Sequence, residues 1–208
     1  MIITSVKIYK GTTYEVEIDN EKKFYLHADI IADFGICEKM ELDRSQLRKI
    51  IYASNFRRAY QYALCCLDYR DYSVSEMQDK LIKTYKNEKL CQAVVKKLAD
   101  CGIINDERYA EKLARRYVEG RKYGLRRAKH EIILKGISEY IADEALQVYT
   151  ETFSENLMHL MQTKYARFLT DIEDRKSIEK VKNSLVRNGY GFDEINHAVK
   201  EYFENQED

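Results

Sequence analysis

The chain of 208 residues has no proline and only 8 glycines. Without proline its helices cannot be ended by ring clash, so the breaks must come from glycine and from capping side chains. Net charge is absent too, since 35 basic and 35 acidic residues cancel. Only the distribution of charge along the chain can point to a partner. No apolar run approaches the roughly 18 residues of a membrane helix, and MIITSVKIYKG lacks the basic leader and apolar core of an export signal. Both absences argue against membrane spanning and secretion. Cysteines number 5, with Cys65 beside Cys66 and no CxxC, so a disulfide framework and a zinc knuckle both lack their pattern. The thiols read as reduced and buried, in a cytoplasmic protein. A Walker A loop, a Gly-rich dinucleotide fingerprint, HExxH and a Ser or Cys nucleophile motif are also missing. His27, His130, His159 and His197 sit at no ligand spacing, and His130 beside Glu131 reads as a surface pair. Nothing here indicates an enzyme, a cofactor or a metal site.

What the chain does have is a repeat. Moving back 51 positions pairs Ala110 with Ala59, Ala114 with Ala63, Arg121 with Arg70, Tyr123 with Tyr72 and Ile132 with Leu81. Moving forward 53 positions pairs Ile132 with Leu185, Gly136 with Gly189, Ala145 with Ala198 and Leu146 with Val199. A unit of about fifty residues occurs three times, which is the signature of stacked supersecondary units presenting an extended binding surface. Residues 2–9, 13–18 and 23–27 are β-branched and aromatic with partial alternation, and Asp19-Asn20 marks a turn. They predict an antiparallel meander, followed by helices over 29–34 and 44–52. From Asn55 onward the pattern is helical, with three helices per unit and nine in all. Ser73 with Glu76 forms a capping box, while Asp106, Ser138, Ser177 and Asp193 are expected N-caps. Gly102, Gly136 and Gly189 are expected left-handed C-caps. Thr84 to Leu90 reads as a long linker. The domains expected are 1–54, an appendage, and the repeats 55–105, 106–152 and 153–208.

The strongest electrostatic feature is Lys112 to Lys135, with nine basic residues against Glu119 and Glu131. Tyr109, Leu113 and Tyr117 lie at i, i+4 and i+8 and form a core stripe, which turns Arg108, Lys112 and Arg115 outward. By itself a run of this kind is a solvated helix face. The alternative is that it neutralises phosphates, giving sequence-independent, salt-sensitive affinity. Tyr72, Tyr117 and Tyr123 could stack on bases, but at helical spacing they read as core.

The order of Ala59, Tyr62, Ala63 and Leu64, then Arg70, Ser73 and Glu76, LADCGIIND over 98–106, Tyr109-Ala110, Gly124, Lys135-Gly136-Ile137 and LVRNGY over 185–190 resembles the RecX family of bacterial recombinase regulators. The resemblance covers about residues 55–204. It implies a mainly α fold: three tandem three-helix repeats in an elongated curved array, with a small N-terminal β-plus-helix appendage like that of the longer, Gram-positive-type members. The implied activity is binding of the RecA–single-stranded DNA filament and modulation of RecA, inhibition being the favoured sense, in recombination and repair. The partners implied are the RecA filament and the single-stranded DNA within it, for a monomeric, non-enzymatic protein. Under this resemblance Lys112, Arg115, Arg116, Arg121, Lys122, Arg126, Arg127 and Lys129 become the expected binding surface. The rival expectation is a helix-turn-helix-like transcription regulator on duplex DNA. Against it, Ser138 to Tyr149 carries Glu139, Asp143 and Glu144 and no basic residue, unlike a recognition helix.

Overall fold

A computed structural model describes residues 1–205. They divide into two compact units, Met1–Arg70 with Gln78–Asp100, and Asp71–Met77 with Cys101 onward. No helix among the described residues is long and apolar enough to cross a membrane.

In the first unit the meander forms as expected, with β1 (Ile3–Lys10), β2 (Thr13–Ile18) and β3 (Lys22–His27) antiparallel in the order β1-β2-β3. Asp19 and Asn20 turn the chain with φ of 53° and 57°, a left-handed conformation that their short polar side chains tolerate. Ile3, Val16, Ile18 and Leu26 face Ile30 of α1 (Ala28–Asp33) and Ile50 of α2 (Arg44–Tyr69) in one core. Helix α2 is capped by Asp43 and Gln46 in a capping box and runs unbroken through residue 54, where the sequence pattern placed a boundary. With neither glycine nor proline between 44 and 69, nothing in the chain interrupts it. Ala59 and Ala63 are fully buried, as their repeat partners Ala110 and Ala114 are in the second unit. The expected long linker closes to two residues between α3 (Val74–Tyr85) and α4 (Glu88–Asp100). Lys86 takes the left-handed position at φ 51°, and Asn87 caps α4 by accepting from the Leu90 N–H at 3.1 Å.

The second unit contains α5 (Asp106–Arg115), a π-helical turn (Arg116–Gly120), α6 (Leu125–Ile133) and α7 (Glu139–Gln147). After them come α8 (Thr150–Gln162), a 3-10 turn (Ala166–Phe168), α9 (Arg175–Arg187) and α10 (Phe192–Glu204). Thus α2–α4, α5–α7 and α8–α10 are the three helix triplets. One core gathers Tyr109, Leu113, Ile132 and Leu146, and another gathers Leu157, Leu185, Tyr190 and Ile195. Burial pushes the Tyr190 phenol pKa up, and its hydroxyl donates to the Lys122 carbonyl at 3.0 Å.

Capping departs from expectation at three of the predicted sites. Ser73 with Glu76 forms its box and Ser138 caps α7. Asn105, rather than Asp106, caps α5, and Asp174, rather than Ser177, caps α9. Gly191, rather than Asp193, precedes α10, with the Glu194 carboxylate accepting from its N–H. Asp106 is instead used between elements, accepting from the Val74 N–H at 2.9 Å, and burial raises its carboxyl pKa. Asp106→Ala should therefore cost about 1–3 kcal/mol by orphaning a half-buried donor. Asp106→Asn, which keeps the acceptor and removes the burial penalty on the charge, should stay within about 0.5 kcal/mol. Urea unfolding of both variants checks this, and equal losses would remove the role given to the Asp106 carbonyl-like oxygen.

The cysteines are free, but only Cys91 is buried, with its thiol pKa pushed up by desolvation. Cys37, Cys65 and Cys101 are exposed, which corrects the expectation of buried thiols. Cys65 shares the helix α2 with the buried Ala59 and Ala63 but lies off their stripe.

Candidate functional site

The joints between triplets position the basic segment. At the first, the Ser73 hydroxyl donates to the Lys135 carbonyl in a short bond, and the Lys135 ammonium lies 3.5 Å from Glu76. At the second, the Gly124 N–H donates to the Asn188 carbonyl at 2.8 Å, and the Arg126 N–H to the Gly189 carbonyl at 3.1 Å. The sequence offsets pair Ser73 with Gly124 and Lys135 with Asn188, so one joint is built twice. In each, the start of a second helix holds the carbonyl just past the end of the next triplet's second helix. Gly136 and Gly189 sit there at φ of 76° and 95°.

Between α5 and α6 the chain follows a spacing longer than an α-helix. Leu113 and Ala114 are buried, Arg115 and Arg116 exposed, Tyr117 and Val118 buried, Glu119 and Gly120 exposed. A repeat of four exceeds the 3.6 of an α-helix, and the backbone accommodates it by widening into the π turn. The widened turn leaves the Val118 carbonyl to the buried Asn156 of α8, whose amide donates to it at 3.0 Å. Tyr117 and Tyr123 stack with centroids 5.9 Å apart, and burial raises the Tyr117 pKa. These rings are part of the wall rather than a free stacking platform.

The eight expected binding residues separate into two groups. Lys112 pairs with Asp71 at 2.8 Å. Lys129 lies 2.8 Å from Asp143 and 2.6 Å from Glu139, and its bonds to Asp143 and then Glu139 hold its pKa above the ordinary lysine value. Arg127 donates to the Arg187 carbonyl at 3.3 Å and the Asn188 side chain at 3.2 Å, and its guanidinium lies 4.0 Å from the Tyr123 ring centroid. All three are engaged within the fold. Arg115 meets Glu119 in an exposed i,i+4 pair, of the kind worth about 0.3–0.5 kcal/mol, and so is readily given up. Arg121 donates to the Tyr123 hydroxyl and remains exposed. Arg116, Lys122 and Arg126 have no side-chain hydrogen bond or ion pair among the described residues. Beside them the second joint brings Arg187, exposed and without an ion pair among the described residues, from a triplet 60 residues away. Sequence reading missed Arg187, although it lies within LVRNGY; only the joint places it next to Arg126 and Arg127.

The description "RecX, second three-helix domain" matches residues 105–146, which are α5 to α7 with their turns. Along the whole chain, the protein is 29% identical to a regulatory protein RecX of Clostridium acetobutylicum, over 93% of this chain and 92% of that one. It is 26% identical to one of Clostridioides difficile, over 95% and 94%. A crystal structure of a regulatory protein RecX shares the fold with a TM-score of 0.78 over 96% of this chain and 98% of that one, at 24% identity. The crystal structure of RecX from Lactobacillus salivarius superposes with a TM-score of 0.66, 30% identical, covering 72% of this chain and 97% of that one. This chain belongs to the RecX family. Its mainly helical repeat fold with a small N-terminal sheet is the fold of those RecX structures, and its relatives carry the name of regulatory proteins.

Proposed function

We propose that this protein binds the RecA–single-stranded DNA filament in the cytoplasm, as a monomer, and lowers its recombinase and ATPase activity. The observation that carries this reading is the set of exposed cations Arg115, Arg116, Arg121 and Arg126, with the half-buried Lys122 among them and Arg187 extending them, on a member of the RecX family. Arg116, Lys122, Arg126 and Arg187, unpaired among the described residues, and Arg115 and Arg121, held only by exposed contacts to Glu119 and Tyr123, are available to DNA phosphates or to carboxylates of a protein filament, and neither contact depends on base sequence. The duplex-regulator reading is disfavoured by α7, whose exposed Glu139, Asp143 and Glu144 would face phosphates.

The test is binding to preassembled RecA–single-stranded DNA filaments, naked single strands and duplex across a salt series, with the RecA ATPase rate followed in parallel. Preferential, salt-sensitive binding to filaments with a reduced ATPase rate is expected. Equal affinity for naked DNA with an unchanged ATPase rate would reject the proposal.

A further inference from the structure

The acidic helix α7 has no part in the basic surface, and a groove opens on each side of it. On one side, Leu146, Phe153 and Leu157 form an apolar floor beneath Leu125 and Tyr140, enclosing about 590 Å³. On the other, Ile141, Ala145 and Val148 line a groove of about 460 Å³ against α5. Glu144 borders both. Tyr140 and Val148 remain 69% and 81% exposed, an apolar exposure of the kind that marks interaction sites.

The rim has one sign. Glu107 and Glu111 edge the second groove, and Asp143 and Glu194 the first. Lys129 neutralises Asp143. Glu107, Glu111, Glu144 and Glu194 have no ion pair with a cation among the described residues. Nucleic acid is a poor occupant, because its phosphates would meet uncompensated carboxylates. The apolar floor requires apolar side chains, and the carboxylates require cations flanking them. A helix with Leu-like residues at i, i+3 and i+4 spacing and Lys or Arg on its borders satisfies both requirements at once.

We infer that the paired grooves flanking α7 dock a cationic amphipathic segment of a partner protein, on a surface separate from the basic one. The docking combines an area term from the floor with charge complementarity from the rim, and the rim suppresses anionic competitors.

The experiment uses the full chain and two fluorescein-labelled 14-residue peptides of Leu and Lys, one with an apolar helical face and one of the same composition scrambled to have none. Anisotropy at about 0.15 M salt, where exposed charges more than about 8 Å apart are largely screened, should show the amphipathic peptide bound at least tenfold more tightly than the scrambled one. Glu111→Lys with Glu144→Lys should weaken it at least tenfold, and Tyr140→Ser at least threefold. Glu173→Lys with Glu179→Lys, the same charge change outside the grooves, should leave it within twofold. Circular dichroism establishes that each variant is folded. Equal binding of the two peptides, or equal losses in both double-lysine variants, would overturn the inference by reducing it to bulk charge. Sedimentation showing self-association that Glu111→Lys with Glu144→Lys abolishes, without peptide binding, would overturn it in favour of a second copy of this chain.

Discussion

Gly189→Ala is expected to destabilise the protein by about 2–5 kcal/mol, combining about 1–2 for the left-handed backbone with about 1–3 for a forced clash. An added Cβ would lie 2.4 Å from the Arg127 nitrogen and 2.5 Å from its Cβ, and backbone cannot rotate aside as a long side chain can. The same substitution at Gly102 is the internal control. Gly102 has φ 67° with nothing within 4 Å of an added Cβ, so Gly102→Ala loses only the backbone part, about 1–2 kcal/mol. Against a total stability of about 5–15 kcal/mol, the difference is large enough to read by denaturant unfolding. Equal losses at the two glycines would mean that the second joint yields, and that its close approach contributes nothing to stability.

Replacing Arg116, Arg126 and Arg187 together with alanine is expected to weaken filament binding about a hundredfold, at roughly 1 kcal/mol per lost contact, while leaving thermal unfolding unchanged. If the contacts are to phosphates of a single strand, the slope of log affinity against log salt should fall by about 2, at about 0.7 per contact. Arg127→Ala is the contrasting variant. It removes bonds to the Arg187 carbonyl and the Asn188 side chain and uncovers Tyr123, so it should lower stability by about 1–3 kcal/mol with a smaller effect on affinity. Unchanged filament affinity in the triple variant would remove these cations from the binding surface.

Arg187 enters that triple variant, and Arg127 leaves it, for a reason that the basic run alone cannot supply. Consecutive basic residues look alike in sequence. What separates Arg126 from Arg127 is that one side chain projects into solvent while its neighbour lies over Tyr123 and across the joint. The caps show the same limit on a smaller scale. Asp106 and Ser177 have suitable side chains, but the first helical residue is decided by where the chain leaves its extended conformation. That point falls at Asn105 in one case and Asp174 in the other. The π turn, by contrast, left a trace in the sequence: paired apolar and polar residues from Leu113 to Gly120 repeat every four positions, a period an α-helix cannot match.

The sequence by itself determined the repeat, the meander, the buried alanine and leucine stripes and the left-handed glycines. These follow from local conformational preference and from the spacing of apolar residues, and both are written along the chain. Tertiary structure alone decided that Gly136 and Gly189 do more than end their helices. Their missing side chains let the backbone approach Ser75 in one joint and Arg127 in the other, while Gly102, alike in local conformation, approaches nothing. After the second helix of the first triplet, where no helical repeat comes before, the left-handed residue is Lys86 at φ 51° rather than a glycine. Conformation at one residue is a local property, whereas proximity between residues more than fifty positions apart arises only when the triplets pack. The same packing selects which cations stay exposed and which are engaged within the fold.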